Sequence, residues 1–199
     1  ADFDSGKFDT VPDWVYNDVY LSNLKQLKIL GGEPSIDPMV HTVLNKIGDT
    51  EHAKRITLSV TTNLTNVNQR WVNTLRKFDN VKINISLDGS GDTFDYIRTN
   101  ANWSTIERNV DVLIGELGDK VQRIQINCVY SLYNCFTVSN WYPTLNDILE
   151  DNDIVTEINF INATWPPMLN TKNLPDQFKQ VVEHELESVT NKKHKKRLL

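Results

Sequence analysis

The apolar residues of this chain follow two alternating spacings, short β-prone runs and longer stretches with helical periodicity. Short runs rich in Val, Ile and Thr predict strands, and apolar residues at i, i+3 and i+4 predict the helices between them. The predicted strands are residues 26–30, 56–61, 81–87, 121–129 and 155–161. The first of them is expected to be buried, because its residues from Leu27 to Leu30 form a mainly apolar run. The predicted helices are residues 13–24, 38–48, 66–77, 93–98, 104–117, 138–149 and 175–190, after a loop over residues 1–12.

This alternation predicts an α/β fold, because strands that are joined through helices pair in parallel. The pattern fits an open doubly wound sheet and part of a (β/α) barrel equally well. Three regions are expected, a lead-in loop and helix over 1–24, a core over 25–167, and a C-terminal helix with a basic tail over 168–199. The tail, residues 191–197, is expected to be solvated or disordered.

Local signals mark where two of the helices should begin. Asp37 can cap a helix that has Pro38 at its first position. The run from Ser104 to Glu107 has the Ser-x-x-Glu spacing of a capping box, in which the two side chains satisfy each other's backbone donors. These signals predict helix starts at Pro38 and Ser104.

The composition is typical of a globular protein and limits the class of function. The chain has 199 residues, of which 39% are hydrophobic and 24% charged, and its formal net charge is -5. That charge argues against nucleic acid as a partner, and no apolar run reaches the roughly 18 residues of a membrane span. Cys128 and Cys135 fit neither a disulfide framework nor a zinc motif, so we expect a reducing, cytoplasmic setting.

Other catalytic signals are absent from the sequence. The histidines at positions 41, 52, 184 and 194 never pair at the spacing of metal ligands, so we expect solvated side chains. The sequence contains no phosphate loop, dinucleotide fingerprint or nucleophile elbow, which an unrelated α/β enzyme would need. Trp165 follows the last predicted strand and could border a substrate, although a rigid Pro-Pro turn is the simpler interpretation.

Polar residues follow the predicted strands at the point where each strand ends. Because the carboxyl ends of parallel strands meet at one edge of a sheet, we expect these residues to converge on one rim. In chain order they are Gly31, Gly32, Glu33, Pro34, Thr62, Asn63, Ser86, Asp88 and Asn127, and Arg98 lies just after the third strand.

This predicted rim suits a ligand that carries an amine, a carboxylate and a ribose. Gly31 and Gly32 lack side chains, so a ligand can approach the main chain there. Glu33 and Asp88 could hold an ammonium group or ribose hydroxyls, and the fork of Arg98 matches a carboxylate. The neutral hydrogen-bonding side chains are those of Thr62, Asn63, Ser86 and Asn127. Ordinary turns after the strands, and a surface ion pair at Arg98, are the alternative interpretations.

The same segments resemble the radical S-adenosylmethionine (radical SAM) enzymes. The likeness lies in Gly31-Gly32-Glu33-Pro34, Thr62-Asn63, Ile85-Ser86-Leu87-Asp88-Gly89 and Tyr96-Ile97-Arg98, and it continues from Trp103 to Val110. It covers about residues 27–164 and is closest to the peptide-modifying branch, whose members carry SPASM or twitch extensions.

The resemblance implies a partial (β/α) barrel, a parallel sheet with outer helices, that binds S-adenosylmethionine beside a 4Fe–4S cluster. The family's Gly-Gly-Glu motif binds the methionine amino group, so Gly31, Gly32 and Glu33 carry over as amine-binding residues. Ser86 and Arg98 carry over as ribose or carboxylate contacts. The intact enzyme would reductively cleave S-adenosylmethionine to a 5′-deoxyadenosyl radical that acts on a substrate, and a peptide is the expected substrate.

One departure from the family concerns the cluster itself. The CxxxCxxC loop, whose three thiolates hold the cluster in the family, is absent from this sequence, and Cys128 and Cys135 differ from it in number and place. The Gly-Gly-Glu strand is the second strand of the family barrel, so we expect a truncated domain that lacks the first strand and is inactive as it stands. Its exposed edge should favour self-association. The alternative is a non-catalytic α/β binding module that kept the fold.

Overall fold

Five parallel strands form a single sheet in the computed structural model, which describes residues 11–118, 120–150 and 154–198. The strands are β1 (Gln26–Ile29), β2 (Thr57–Thr62), β3 (Asn80–Ser86), β4 (Val121–Tyr130) and β5 (Val155–Asn162). The helices are α1 (Asp18–Asn23), α2 (Pro38–Gly48), α3 (Gln69–Leu75), α4 (Gly91–Ile97), α5 (Trp103–Leu117), α6 (Val138–Glu150), α7 (Asp176–Glu185) and α8 (Lys192–Leu198). Residues 1–10 of the predicted lead-in loop lie outside the described residues.

The order of the strands decides between the two predicted architectures. Each strand pairs in parallel with the next one along the chain, in the order β1-β2-β3-β4-β5. A doubly wound sheet would reverse its strand order at a switch point, whereas a (β/α) barrel keeps sequential neighbours together. The chain therefore has the partial-barrel version of the predicted α/β fold.

The sheet has one apolar face under the helices and one polar face. In β3 the side chains of Val81, Ile83 and Ile85 are buried, while those of Lys82 and Asn84 between them are half-buried. Because side chains alternate across a strand, the apolar residues share one face with the helices and the polar residues share the other. The polar face lines the open side of the partial barrel and leads up to the predicted rim.

The strand β1 differs from the buried strand that the sequence predicts. Its side chains alternate between exposed and half-buried, and Leu30 just beyond it is 64% exposed. Within the described ranges, β1 has a paired neighbour only in β2 and forms the edge of the sheet. The apolar run therefore predicted the strand correctly, but the strand is less buried than expected.

Several helices begin at positions that differ from the predicted ones, because side chains cap them there. The predicted helix 13–24 is divided, because Asn17 is extended and its side chain accepts a hydrogen bond from Val19 N at 2.7 Å, which starts α1. Asp37 caps α2 as predicted. Asn68 caps α3, which begins three residues after the predicted start at residue 66. The capping box at Ser104 is wrong, since Ser104 already lies inside α5.

The C-terminal region is more ordered than the sequence analysis predicts. Residues 192–198 form the helix α8 instead of a solvated tail, because His194 and Leu198 are buried on its inner side. The expectation of solvated histidines is also wrong for His41 and His52, which are buried as well, and only His184 is exposed in that set of four. None of the helices in the described ranges is long and apolar enough to cross a membrane.

Candidate functional site

The loop after β1 has the backbone conformation that its two glycines suggested. Gly31 and Gly32 have φ angles of +88° and +50°, in the left-handed region that side chains disfavour. A Cβ added at either glycine would meet no atom within 4 Å, so the backbone angle requires glycine and the surroundings do not. The loop is exposed and leads directly into Glu33.

Glu33 joins the loop after β1 to the end of β2. Its Oε1 accepts hydrogen bonds from Thr62 Oγ1 at 2.7 Å, from Ser35 Oγ at 2.8 Å and from Ser35 N at 3.2 Å. Its Oε2 accepts one from Asn63 N at 2.7 Å. The Glu33 carboxylate, which was expected to face a ligand, therefore forms a structural tie between the loop after β1 and the end of β2. Its Oε2 accepts one hydrogen bond from the protein and can accept another.

Ser35 is a residue of this site that the sequence analysis missed. Its side chain is buried, and both its amide and its hydroxyl donate to Glu33. Turns in which a side chain accepts from the backbone N–H two residues on are typical of Asp and Asn, whereas the acid here is Glu33, so no local sequence signal predicts this contact.

Asp88 and Arg98 bind each other, which is the ion pair that the sequence left open as the alternative for Arg98, and contact of either residue with a ligand stays a prediction. Arg98 Nη2 lies 2.6 Å from Asp88 Oδ2, and Asp88 Oδ1 accepts a hydrogen bond from Val129 N at 2.9 Å. Asp88 is buried and the Arg98 side chain is one-third exposed. The Nε atom of Arg98 is buried and has no hydrogen-bond partner among the described residues, so this donor remains available to a ligand.

Two cavities adjoin at the carboxyl ends of the strands and share Ile97 and Arg98. The first cavity has a volume of about 380 Å³ and includes the predicted residues Asn63, Ser86 and Arg98. Its other lining residues are Thr65, Phe94, Ile97, Thr99, Asn100 and Ala101. The second cavity, of about 550 Å³, lies on the β4–β5 side of the same arginine.

Of the remaining predicted residues, Asp88 lines the second cavity, and the others line neither of the two cavities. Gly31, Gly32, Glu33, Pro34 and Thr62 form the tie between β1 and β2 and are absent from the walls of the first cavity. Asn63 belongs to both groups, because its backbone N–H binds Glu33 and its residue lines the cavity. The structure therefore gathers the predicted set at one rim, with Asn63 joining its two parts.

Asn127 belongs to a ladder of amide side chains on the polar face of the sheet. Its Oδ1 accepts from Gln125 Nε2 at 2.8 Å and from Asn159 Nδ2 at 3.2 Å. Arg197 Nη1 in turn donates to Asn159 Oδ1 at 2.9 Å, which ties α8 to the ladder. Asn127 is paired laterally with Ser86 in β3, so the ladder ends beside the first cavity.

The cysteines do not fit the ligation of an iron–sulfur cluster. Burial, and then the nearby Asp88 carboxylate, raise the pKa of the Cys128 thiol well above its usual range. Burial raises the pKa of Cys135 to about 11. Cluster ligands are thiolates, and these two groups stay protonated in apolar surroundings. Within the described parts of the chain, no cluster of His, Cys, Asp and Glu side chains could hold a metal ion.

Solved structures of radical SAM enzymes have the same partial-barrel fold as this chain. SuiB of Streptococcus suis bound to S-adenosylmethionine is 18% identical with a TM-score of 0.56, over 83% of this chain and 36% of SuiB. SuiB bound to precursor peptide SuiA has the same identity and TM-score. Native anSMEcpe with bound AdoMet and Cp18Cys peptide is 20% identical with a TM-score of 0.54, over 72% of this chain and 40% of the other.

These similarities are ones of fold, at low sequence identity. This chain spans less than half the length of each of these neighbours. The sequence matches no protein-family profile and no curated protein at a significant level. These similarities do not extend to the expected SPASM or twitch extension, which stays a prediction.

Proposed function

We propose that this chain binds S-adenosylmethionine at the first cavity and forms the core of a radical SAM enzyme. The observation that carries the proposal is Arg98 Nε, a buried donor that has no partner among the described residues and belongs to the wall of that cavity. A ligand carboxylate or ribose oxygen would satisfy it. The neighbours SuiB and anSMEcpe, which share the fold, were solved with S-adenosylmethionine bound.

Each end of the ligand has residues on this rim that match its chemistry. Arg98 and Ser86 supply donors for a carboxylate or a ribose hydroxyl, and Asn63 lines the same cavity. The second lone pair of Glu33 Oε2 and the exposed backbone at Gly31 and Gly32 suit an ammonium group. Glu33 in this role binds through a carboxylate that Thr62, Asn63 and Ser35 already hold in place.

For the whole protein we propose reductive cleavage of S-adenosylmethionine and hydrogen abstraction from a peptide. The peptide is suggested by the neighbours, since SuiB was solved with precursor peptide SuiA and anSMEcpe with the Cp18Cys peptide. The 4Fe–4S cluster that supplies the electron in such chemistry needs ligands other than Cys128 and Cys135. The residues described here account for binding and orientation alone.

A second candidate function is a binding module without redox chemistry, and it is favoured by the protonated state of the two thiols. Cys128 and Cys135 are free, buried and protonated, so they offer nothing to a metal. Anaerobic incubation of the whole protein with iron and sulfide separates the candidates, because the described residues of this chain supply no cluster ligands. Visible absorption of a bound cluster would support the enzyme, whereas S-adenosylmethionine binding without any cluster would support the module.

Calorimetric titration with S-adenosylmethionine tests the proposed site. We expect Ser86→Ala to weaken binding by about three- to tenfold, since one neutral hydrogen bond contributes about 0.5–1.5 kcal/mol. Arg98→Met should weaken it by about tenfold or more, because hydrogen bonds to charged groups contribute about 1.5–3 kcal/mol.

A matched control is Ser22→Ala in α1, where an exposed hydroxyl donates only to Val19 O within its own helix. This variant should bind like the unmodified chain. Because Arg98 also pairs with Asp88, thermal unfolding of each variant must show that the fold is retained before affinities are compared. Binding that is unchanged in both Ser86→Ala and a folded Arg98→Met would refute the proposed site.

A further inference from the structure

We propose that the second cavity binds an aromatic side chain of a peptide, next to the proposed S-adenosylmethionine site. The inference deepens the proposed function by assigning the substrate end of the same rim, and in that respect rests on it. The second cavity has mainly apolar walls, one acceptor that is unpaired within the described part of the chain, and two residues in common with the first cavity.

The walls of the second cavity are mainly apolar and include two exposed aromatic side chains. Trp165 is 81% exposed and Tyr133 is 50% exposed, and both line the cavity. Val129 and Ile161, paired across β4 and β5, form its floor on the sheet and are 40% and 48% exposed. Exposed apolar residues grouped around one concavity are typical of a binding site, and aromatic rings favour another ring edge-on or offset.

The charged residues of this cavity neutralise each other. Asp88 and Arg98 line it, and they form an ion pair at 2.6 Å. Neither residue therefore presents an unpaired charge that would attract a Lys or a Glu side chain. An uncharged apolar side chain is the class that these walls accept.

One polar group in the wall suits a peptide backbone. Asn162 lines the cavity, and its Nδ2 donates to Arg197 O at 3.1 Å, which fixes the orientation of the amide. Its Oδ1 is buried and has no hydrogen-bond partner within the described ranges. A buried acceptor left unpaired costs about 1–3 kcal/mol, and the N–H of a bound peptide would remove that cost.

The two cavities are separated by Ile97 and Arg98, which line both of them. A ligand in the first cavity and an aromatic residue in the second would therefore lie on either side of a single arginine. This places the peptide beside the S-adenosylmethionine that the proposed enzyme would cleave. Arg98 contributes to both sites, because its Nη2 is held by Asp88 and its Nε has no hydrogen-bond partner among the residues that the structure describes.

Fluorine NMR of the chain labelled with 5-fluorotryptophan tests this site directly. The probe is N-acetyl-phenylalanine amide, compared with N-acetyl-alanine amide and with anisole, which has the ring but no hydrogen-bond donor. We expect the first compound to shift the Trp165 signal, and each of the other two to bind about tenfold more weakly. Trp14 is also exposed but lines a different cavity together with Tyr20, so its signal should not shift.

A pair of variants makes the test specific. Ile161→Asp places a charge on the cavity floor and should abolish the Trp165 shift, whereas Met168→Asp, at an exposed position outside the cavity walls, should preserve it. Equal effects of the two variants, equal binding of all three compounds, or an unshifted Trp165 signal would overturn the proposal. The titration contains no S-adenosylmethionine, so its failure would leave the proposed cofactor site standing.

Discussion

Glu33 shows how a residue can be structural and still serve a ligand. It accepts hydrogen bonds from Ser35, Thr62 and Asn63, and these bonds hold the glycine loop against the end of β2. A carboxylate fixed in this way presents its remaining lone pair in a set direction, without an entropy cost when the ligand arrives. The tie and the proposed binding role therefore support each other.

Glu33→Gln should destabilise the fold, because a carboxamide NH₂ would face groups that are all donors. We expect the free energy of unfolding to fall by about 1–3 kcal/mol, the cost of leaving buried donors unpaired. Denaturant unfolding measures the change. Glu107→Gln, an exposed position in α5, is the control and should change stability by less than about 0.5 kcal/mol. Equal effects of the two substitutions would contradict the role of Glu33 as a tie.

The sequence predicted which residues would meet, but not what each would bind. Glu33, Thr62 and Asn63 were expected at one rim because parallel strands end at one edge. The ion pair of Asp88 with Arg98 depended on how α4 returns the chain over the end of β3, which no local pattern specifies. The second cavity likewise joins residues from β4, β5 and the loop after β5, and only the fold brings these together.

At the scale of elements, caps and edges explain most differences from the predicted boundaries. Asp37 could be identified from sequence because an Asp before a Pro is a strong start signal. The start of α5 was predicted at Ser104, one residue too late. Trp103 N donates to Asp95 Oδ1 of α4 at 2.6 Å, and the sequence around Trp103 does not show this contact with another helix. The helix α8 could not be foreseen, since its formation depends on burial against β5 and α6.

Asp37→Ala should weaken α2 and with it the rim that precedes this helix. Asp37 Oδ1 accepts hydrogen bonds from Met39 N at 2.8 Å and Val40 N at 3.3 Å. Loss of such a cap costs about 1 kcal/mol, measured as a drop in the free energy of unfolding. Asp111→Ala, exposed in the middle of α5, is a matched control in which no cap is lost. A stability change as large in the control would count against capping as the cause.

The docking of α8 should depend on pH through His194. This residue is buried against Phe160, and its Nδ1 lies 3.0 Å from the hydroxyl of Tyr142. Burial lowers its pKa, the neighbouring Lys193 and Arg197 lower it further, and Glu157 opposes them. The folded chain therefore binds this proton less readily than the unfolded chain, so stability is retained above about pH 6.5 and lost as the pH falls below it.

Denaturant unfolding at about pH 8 and about pH 5 measures this effect. We expect His194→Gln to reduce the loss of stability on acidification, because it removes the group that gains a proton on unfolding. His184→Gln, at a histidine whose side chain is 81% exposed, should leave the pH dependence unchanged. An unaltered pH profile in His194→Gln would show that other groups dominate.

At the scale of the whole molecule, the sheet is covered on one face by helices and presents its polar face and carboxyl rim to solvent. The sequential strand order makes both features continuous from β1 to β5. The expected self-association through β1 stays a prediction, based on an edge strand followed by the exposed Leu30. Sedimentation at rising concentration tests it, and Leu30→Lys should reduce any association. A chain that stays monomeric throughout would remove this expectation.

The central claim is that the rim recognises both ends of S-adenosylmethionine. Its most direct test is calorimetric titration of the chain with S-adenosylmethionine and with 5′-methylthioadenosine, which keeps the adenosine but lacks the ammonium and carboxylate. Binding of S-adenosylmethionine, with 5′-methylthioadenosine at least about tenfold weaker, is the predicted result, because charged hydrogen bonds contribute about 1.5–3 kcal/mol each. No binding, or equal affinity for the two compounds, would contradict the assignment of Glu33, Ser86 and Arg98 to this ligand.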